Sequence, residues 1–532
     1  MKNMGADSET GSGAKPLAGM TLERGKPIAD QIVSRLIGLV TSGGIAAGTR
    51  LPSIRDLAAQ LGVNRNTVAH SFRELAQKGY LRSRFGGGST IHLPPPVALP
   101  VNSQHGPSFL SPGALAPMRE ADWERMFARR LNGFMAGEQP SLFPPHRPSP
   151  INLYQMRPDT RLFPLDRFRQ GLNPVLRRSG RHLLNYGAPA GFLPLREQIA
   201  RRLAGSGIQA DPSQVLVMSG SQQGIDLLAR AFLNPGDGVV VEAPAYSIAL
   251  KIFAANGAGF HPYPIGRGGA GLDVLEQLGE HVSPKLFYAV PNFQNPTTHS
   301  YTLKEKQGLL REAYRLGSVV VEDASDLELH ADPGRWPPLA SMDGTGRVIH
   351  LNTFSKTLVP AMRMGYLCAP APLVRRLSEL KEMTDLSQSL ILQGAVAEFM
   401  ERGYLDEHVE NVRAAYRARM ERVLEMLSAS LPADAPHTRP DGGLCVWVDL
   451  PPHVNPDRLF DSLRAQGVLV SPGSLYQPPN TPRNARNGIR LCVSNEPEAR
   501  LAEGFKILGR ELERALRQPP PTPAEQEYQP MH

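Results

Sequence analysis

Apolar positions first fall into register between residues 27 and 93. Ile28, Ile32, Leu36, Ile37 and Val40 share one face at helical spacing, and Pro27 suits a first helical position. Ser53 and Gly62 bracket a short helix, Ile54 to Leu61, as cap and stop. Asn64 caps a further helix whose inner face carries Val68, Phe72 and Leu75, while Arg65, Asn66, Thr67, His70 and Arg73 lie outside that apolar set. Beyond Gly79, two strand-like pieces, Tyr80 to Arg84 and Thr90 to Leu93, flank the turn Phe85-Gly86-Gly87-Gly88-Ser89. The pattern predicts a helix, a helix–turn–helix pair and a glycine-tipped hairpin.

From about residue 150 the pattern changes to apolar strands alternating with helices, the signature of an α/β fold. Val215-Leu-Val-Met218 runs through Ser219-Gly-Ser221-Gln222 into a helix expected from Ile225 to Phe232. A strand–turn–helix of this kind aims backbone N–H groups and a helix dipole at an anion. An apolar strand from Tyr288 is expected to end on Asn295, and Ser318-Val-Val-Val-Glu-Asp323 reads as a buried parallel strand ending on carboxylates. Thr353-Phe-Ser355-Lys356-Thr357, with Arg363 seven positions on, joins hydroxyls and an arginine around a lysine, a combination suited to a phosphate. Gly488-Ile-Arg490-Leu-Cys-Val-Ser494 sets an arginine at the start of another strand. Residues 94–150 are proline-rich at both ends and read as a linker holding one amphipathic helix, Asp122 to Met135. A disordered leader (1–20) and a disordered tail (518–532) complete the expected organisation around domains at 21–93 and 151–517.

Charge sharpens the reading of the first domain. Residues 21–92 carry ten Lys/Arg against four Asp/Glu, so most of the chain's net +8 lies in this small part. A basic face of that density fits double-stranded DNA, whose phosphates it neutralises with release of counterions. Arg65, Asn66 and Thr67 stand at the amino end of the second helix of the pair, the part that reaches base edges in such a motif. With 532 residues and 41% hydrophobic content the chain is long enough for more than one large core. Its three cysteines show no metal-ligand spacing and suggest a reducing compartment. No apolar stretch approaches the ~20 residues of a membrane span, and no apolar signal region opens the chain, so a cytoplasmic location without membrane contact is expected.

The motifs after residue 150, in their order, resemble the pyridoxal-phosphate-dependent aminotransferases of fold type I. The resemblance implies that Lys356 forms the Schiff base with pyridoxal 5′-phosphate, that Asp323 pairs with the pyridine nitrogen, and that Asn295 bonds the ring hydroxyl. It implies further that Tyr246 stacks on the ring and that Ser221, Gln222, Ser355 and Arg363 bind the phosphate. Tyr186 would reach the phosphate of a neighbouring subunit in a homodimer, and Arg490 would clamp an effector's carboxylate. Each residue has an ordinary alternative: Asp323 as a helix cap, Tyr246 as a core aromatic, Arg490 as an exposed strand residue in an ion pair.

The first domain reads as a winged helix–turn–helix and resembles the GntR type through Arg50-Leu-Pro-Ser-Ile-Arg55-Asp-Leu-Ala and Leu61-Gly-Val-Asn-Arg65-Asn-Thr67-Val. The resemblance implies DNA contacts at Arg55, Asn64, Arg65, Asn66, Thr67 and the wing residue Gly87. Fused in this order, the two domains are similar to the MocR/GabR-type transcription regulators. In Asp323-Ala-Ser325-Asp326 the family's tyrosine is replaced by Ser325 or Asp326, and Thr298 replaces the glycine usual after Asn-Pro-Thr. Three functions follow: a DNA-binding regulator that senses an amino acid or amine through its cofactor, an active aminotransferase, or a DNA-binding protein whose large domain only dimerises. The substitutions favour the sensor over an efficient catalyst.

Overall fold

In the computed structural model the described residues are 27–41, 45, 48–84, 88–92, 126, 150–278, 283–479, 481 and 486–517. Gly87, the leader, the tail and, but for Met126, the expected helix Asp122–Met135 lie outside them. The chain divides into two compact units, Met1–Ala121 and Asp122–His532.

The first unit has the elements its pattern predicts. Helices Ile28–Thr41, Ile54–Leu61 and Arg65–Gln77 are followed by antiparallel strands Leu81–Arg84 and Gly88–Ile91. Ser53 Oγ accepts from Asp56 N at 3.2 Å, and Gly62 ends the second helix at φ 63°, a left-handed turn that glycine enters without a Cβ clash. Ile32, Val33, Leu36, Leu57, Val68, Phe72, Leu75, Leu81 and Ile91 meet in one core. That core fixes the third helix against the first with its polar side outward.

The second unit is an α/β body around an eight-stranded sheet, ordered Val215–Met218, Gly365–Cys368, Val348–Thr353, Val319–Asp323, Leu286–Ala289, Gly238–Ala243, Gly259–Gly266 and Gly269–Ala270. Gly365–Cys368 runs antiparallel to both its neighbours, and the four pairs from Val348–Thr353 through to Gly259–Gly266 are parallel. Strands buried on both faces read as continuous apolar runs, which is why Val215–Met218 and Val319–Val321 show no alternation. A separate lobe sets strands Cys445–Asp449, Gly488–Cys492 and Ser471–Pro472 in an antiparallel sheet over its own core of Val446, Val448, Ile489, Leu491, Phe505 and Leu508.

The helix after Val215–Met218 begins at Ser221 rather than Ile225. Gly220, at φ 88°, makes the turn, so Ser221 and Gln222 occupy the first helical turn instead of a loop before it. Asn295 likewise does not end a strand: Leu286–Ala289 stops six residues earlier, and Asn295 sits on the following loop. Thr298 stands at φ 60°, the left-handed region that glycine occupies freely and a β-branched residue enters only at a steric cost.

Gly365 locks this arrangement together. A Cβ there would lie 2.7 Å from Asn352 O and 3.0 Å from Gly220 Cα, so the strand carrying Gly365 and the turn at Gly220 are in backbone contact. Gly365→Ala is expected to destabilise the large unit by about 1–3 kcal/mol, the usual penalty of overpacking. A lowered urea midpoint checks this, and an unchanged midpoint contradicts the contact.

Candidate functional site

The parallel strands end on one side of the sheet, and the chemistry gathers there. Asp323 and Thr353 end their strands, Tyr246 follows Ala243, and Gly220-Ser221 follow Met218. With Asn295, Ser355, Lys356, Arg363, Tyr476 and Arg490 they line a cavity of about 390 Å³.

One end of the cavity suits an anion. Ser221 and Gln222 open the helix Ser221–Phe232, where backbone N–H groups lack intrahelical partners. Arg363, held at φ 45° after the turn Pro360–Met362, donates from Nη2 to Ser219 O at 2.9 Å. A Cβ on Gly220 would meet that guanidinium at 3.0 Å, so a glycine is what lets the arginine approach the turn. Ser355 N donates to Thr353 Oγ1 at 3.1 Å, which fixes the loop before Lys356.

The middle of the cavity is acidic and buried. Asp323 Oδ2 accepts from the Tyr288 hydroxyl at 2.8 Å; its Oδ1 accepts from Ser325 N at 3.1 Å and from the Ser325 hydroxyl. Burial pushes the Asp323 carboxyl up, against these hydrogen bonds and the Lys356 charge. Asp326 is 5% exposed, and its Oδ1 has no hydrogen-bond partner. Lys356 Nζ donates to Met156 O at 2.9 Å. Burial pushes the Tyr246 phenol up to about 12, with Asp323 adding to the effect.

Arg490 closes the far side. It lies in the middle of strand Gly488–Cys492 rather than at its start, and it is 6% exposed. Nη1 donates to Asn295 Oδ1 and Nη2 to Tyr154 O, both at 2.8 Å, while Nε has no partner. Its guanidinium carbon stands 5.2 Å from the Tyr476 ring centroid. No carboxylate pairs with it among the described residues, so the exposed ion pair that would have been its ordinary explanation is absent there.

The cavity therefore gathers every predicted residue of this set except Tyr186, which is 78% exposed and lies outside its walls. Sequence reasoning missed Tyr288, Tyr154, Met156 and Tyr476. Tyr288 carried a signal, a phenol within an otherwise apolar strand. Tyr154 and Met156 act through backbone carbonyls, which no side-chain pattern reveals. The residues present fit a pyridoxal phosphate: an anion cradle at Gly220, a lysine at mid-cavity, and a buried carboxylate at Asp323.

In the small unit, Arg55, Asn64, Arg65 and Asn66 are exposed and Thr67 is half-buried. Asn64 Oδ1 accepts from Asn66 N at 2.8 Å, so its side chain is engaged in capping. Arg55 and Arg65 make no ion pair among the described residues, and both point away from the core that holds their helices.

Comparison with known proteins agrees with the geometry. Residues 152–508 match the aminotransferase class I and II family, and residues 28–91 match the gntR family of bacterial regulatory proteins. The chain is 30% identical to the HTH-type transcriptional regulator TauR of Rhodobacter capsulatus, over 89% of this chain and 94% of that one. It is 28% identical to the probable rhizopine catabolism regulatory protein MocR of Rhizobium meliloti, over 88% and 93%. The structure of LysN, an α-aminoadipate aminotransferase of Thermus thermophilus solved with N-(5′-phosphopyridoxyl)-L-leucine, superposes with a TM-score of 0.68. That pair is 31% identical, with 74% of this chain and 99% of LysN covered. Among the described residues no helix is long and apolar enough to cross a membrane, and no cluster of three or more His, Cys, Asp or Glu is arranged for a metal.

Asp326 gives the site a pH signature. Burial pushes its carboxyl up to about 6, against the pull of Lys356 and with that of Asp323. The folded value lies above the unfolded one, so folding favours the protonated form. The group is neutral in both states below about pH 4, and its penalty grows as pH rises through about 6. Asp326→Asn is expected to stabilise the ligand-free protein by about 2–3 kcal/mol near pH 8 and to do nothing at the acid end. Thermal melts at both pH values check this; an equal effect at both contradicts it.

Proposed function

The chain belongs to the aminotransferase class I and II family and, with a gntR-family module ahead of that domain, to the MocR-type transcription regulators; from this premise we propose that it is an effector-responsive regulator. Its large domain binds pyridoxal phosphate and, through it, an amino acid or amine, and its small domain reads an operator in double-stranded DNA. The observation that carries the reading is the convergence of Lys356, Asp323, Asn295, Arg363 and Arg490 on one cavity in a chain that also presents Arg65 and Asn66 on an exposed helix start.

Lys356 is the attachment point, and Ser221, Gln222, Ser355 and Arg363 hold the phosphate. Asp323 faces the pyridine nitrogen, Asn295 the ring hydroxyl and Tyr246 the ring plane. Once bound, the cofactor supplies an electrophilic carbonyl carbon joined to an electron-withdrawing ring. Tyr288 and Ser325 keep the Asp323 carboxylate fixed, so it is oriented before the cofactor arrives. Arg490 is desolvated and has no carboxylate partner among the described residues, and a guanidinium in that state takes a carboxylate bidentately. An effector's carboxylate exchanges for the Asn295 amide oxygen or the Tyr154 carbonyl that the arginine now holds. Tyr186, exposed on this chain, serves the phosphate site of the second subunit in a homodimer.

Ser325 supports sensing over turnover. Its hydroxyl is engaged by Asp323, and it is, with Asp326, one of the two positions at which the resembling family would carry a phenol that serves the ring hydroxyl. Without that phenol a bound amino acid is held but converted slowly. An effector that prefers one arrangement of the domains shifts the population of DNA-competent molecules by its difference in affinity for the two.

Two measurements follow. Borohydride reduction of cofactor-treated protein is expected to fix one pyridoxyl group on the peptide containing Lys356, and Lys356→Ala to abolish it; label on another lysine contradicts the assignment. On the DNA side, Arg65→Ala is expected to cost about 1–3 kcal/mol at the cognate operator and to relax preference at one base position. Arg82→Ala, at the wing strand, is expected to weaken all sequences alike, and a uniform loss for Arg65→Ala would reduce it to a backbone contact.

A further inference from the structure

Two of the chain's three cysteines stand opposite one another behind Arg490. Cys445 and Cys492 are register partners on adjacent antiparallel strands, both buried, with Sγ atoms 3.2 Å apart and no disulfide between them. Cys492 N donates to Leu153 O at 2.8 Å and Val493 N to Leu444 O at 2.9 Å, so the cysteine pair is a non-hydrogen-bonded position of the ladder. Cα atoms in such pairs stand about 4.5 Å apart, inside the disulfide range of about 4.4–6.8 Å. A bond can therefore form without separating the strands.

The pair also touches the site. Cys492 lies two residues from Arg490 on the same strand, and Tyr154 O accepts from Arg490 Nη2 at 2.8 Å and from Cys492 Sγ at 3.5 Å. Cys445 lines the narrow cleft that also holds Asn295, Asp326 and Arg490. We propose that Cys445 and Cys492 form a reversible disulfide when the protein meets a hydroperoxide, and that this bond weakens ligand binding at Arg490.

The chemistry balances. The Cys492 thiolate attacks one oxygen of hydrogen peroxide; the O–O bond breaks, and hydroxide leaves and takes up the proton the thiol had lost. The sulfur of Cys445 then attacks the sulfenic sulfur of Cys492. The S–S bond forms, the S–O bond breaks, and the departing hydroxide leaves as a second water with the Cys445 proton. Two electrons pass from the sulfurs to the peroxide. Burial opposes the Cys492 thiolate, but the hydrogen bond with Cys445 and the Arg490 guanidinium outweigh it and hold its pKa below the ordinary thiol value. Cys368 is the contrast within the same chain: it is buried in another cluster and pushed up to about 11 by burial. The disulfide draws Cys492 Sγ from the carbonyl it shares with Arg490, which is how the sulfur pair acts on the arginine.

The second half of the proposal rests on the effector reading, so the experiment separates the two. Full-length protein is treated with hydrogen peroxide, alkylated and mapped by non-reducing peptide mass spectrometry. A Cys445–Cys492 crosslink two mass units lighter than the paired thiols, reversed by dithiothreitol and formed while Cys368 stays alkylatable, is expected. No crosslink, or oxidation of Cys368 first, overturns the proposal. Binding of N-(5′-phosphopyridoxyl)-L-leucine is then measured by calorimetry on reduced and oxidised protein. A several-fold weaker oxidised form is expected, with the difference absent in both Cys445→Ala and Cys492→Ala. A crosslink with unchanged affinity overturns the link to Arg490. Failure of the reduced protein to bind the probe counts against the effector reading, and the crosslink alone then decides the sulfur chemistry.

Discussion

Burying a carboxylate at the end of a central parallel strand is costly unless its oxygens are satisfied, and the large domain is organised around meeting that demand at Asp323. The Tyr288 hydroxyl approaches from the neighbouring strand, and Ser325 closes back on the same carboxylate from two residues beyond it. The carboxylate is thus held by the sheet and not by a flexible loop. Lys356 and Asp326 lie within its electrostatic reach, and neither makes an ion pair among the described residues. What results is a preorganised, electrically unfinished pocket: a carboxylate held in place, a lysine resting on a backbone carbonyl, and, among the described residues, an arginine without a counter-ion and one acidic oxygen with no donor. On the proposed reading, a cationic ring nitrogen, a phosphate and a carboxylate would complete it.

Side chains whose role is local were legible in the sequence. Ser53 and Gly62 mark the ends of their helix because capping depends on residue type and a turn of backbone. Asp323 and Arg490 were legible as charged residues set in apolar strand-like runs, and Lys356 and Arg363 through the hydroxyls of Thr353 and Ser355 beside them. What was not legible depends on tertiary placement. Ser221 and Gln222 fell outside the expected helix because its apolar pattern starts only at Ile225, and the turn at Gly220 brings them into the first helical turn. Asn295 looked like the end of a strand, yet the chain leaves the sheet at Ala289 and returns Asn295 to the cavity by a loop bonded to Arg490, 195 residues away. Tyr154 and Met156 could not be found at all, since their contribution is a carbonyl oxygen.

The same contrast separates the two domains. The small one presents an outward surface, where Arg55 and Arg65 make no ion pair among the described residues, and on the proposed reading phosphate or base edges would supply their partners. The large one takes its function from an inward surface, where unsatisfied groups are sheltered from water and each interaction is stronger for it. On the proposed reading, the stretch Ser325-Asp326 is where this chain would depart from a catalytic arrangement: Ser325 commits its short hydroxyl to Asp323, and neither residue offers a ligand a phenol. If the anchors hold the proposed cofactor, keeping them without that phenol would suit a domain that reports occupancy.

The central claim is that occupancy of the Lys356 cavity changes what the small domain does on DNA. The most direct measurement is selection of DNA fragments by the full-length protein, with and without pyridoxal phosphate and a panel of amino acids and amines, followed by affinity determination on the enriched fragment at fixed salt. The cofactor with one amine class is expected to shift the affinity several-fold or to change the preferred half-site spacing, and Lys356→Ala to remove the shift while still binding DNA. Identical selection and affinity under every condition, for both proteins, would contradict it.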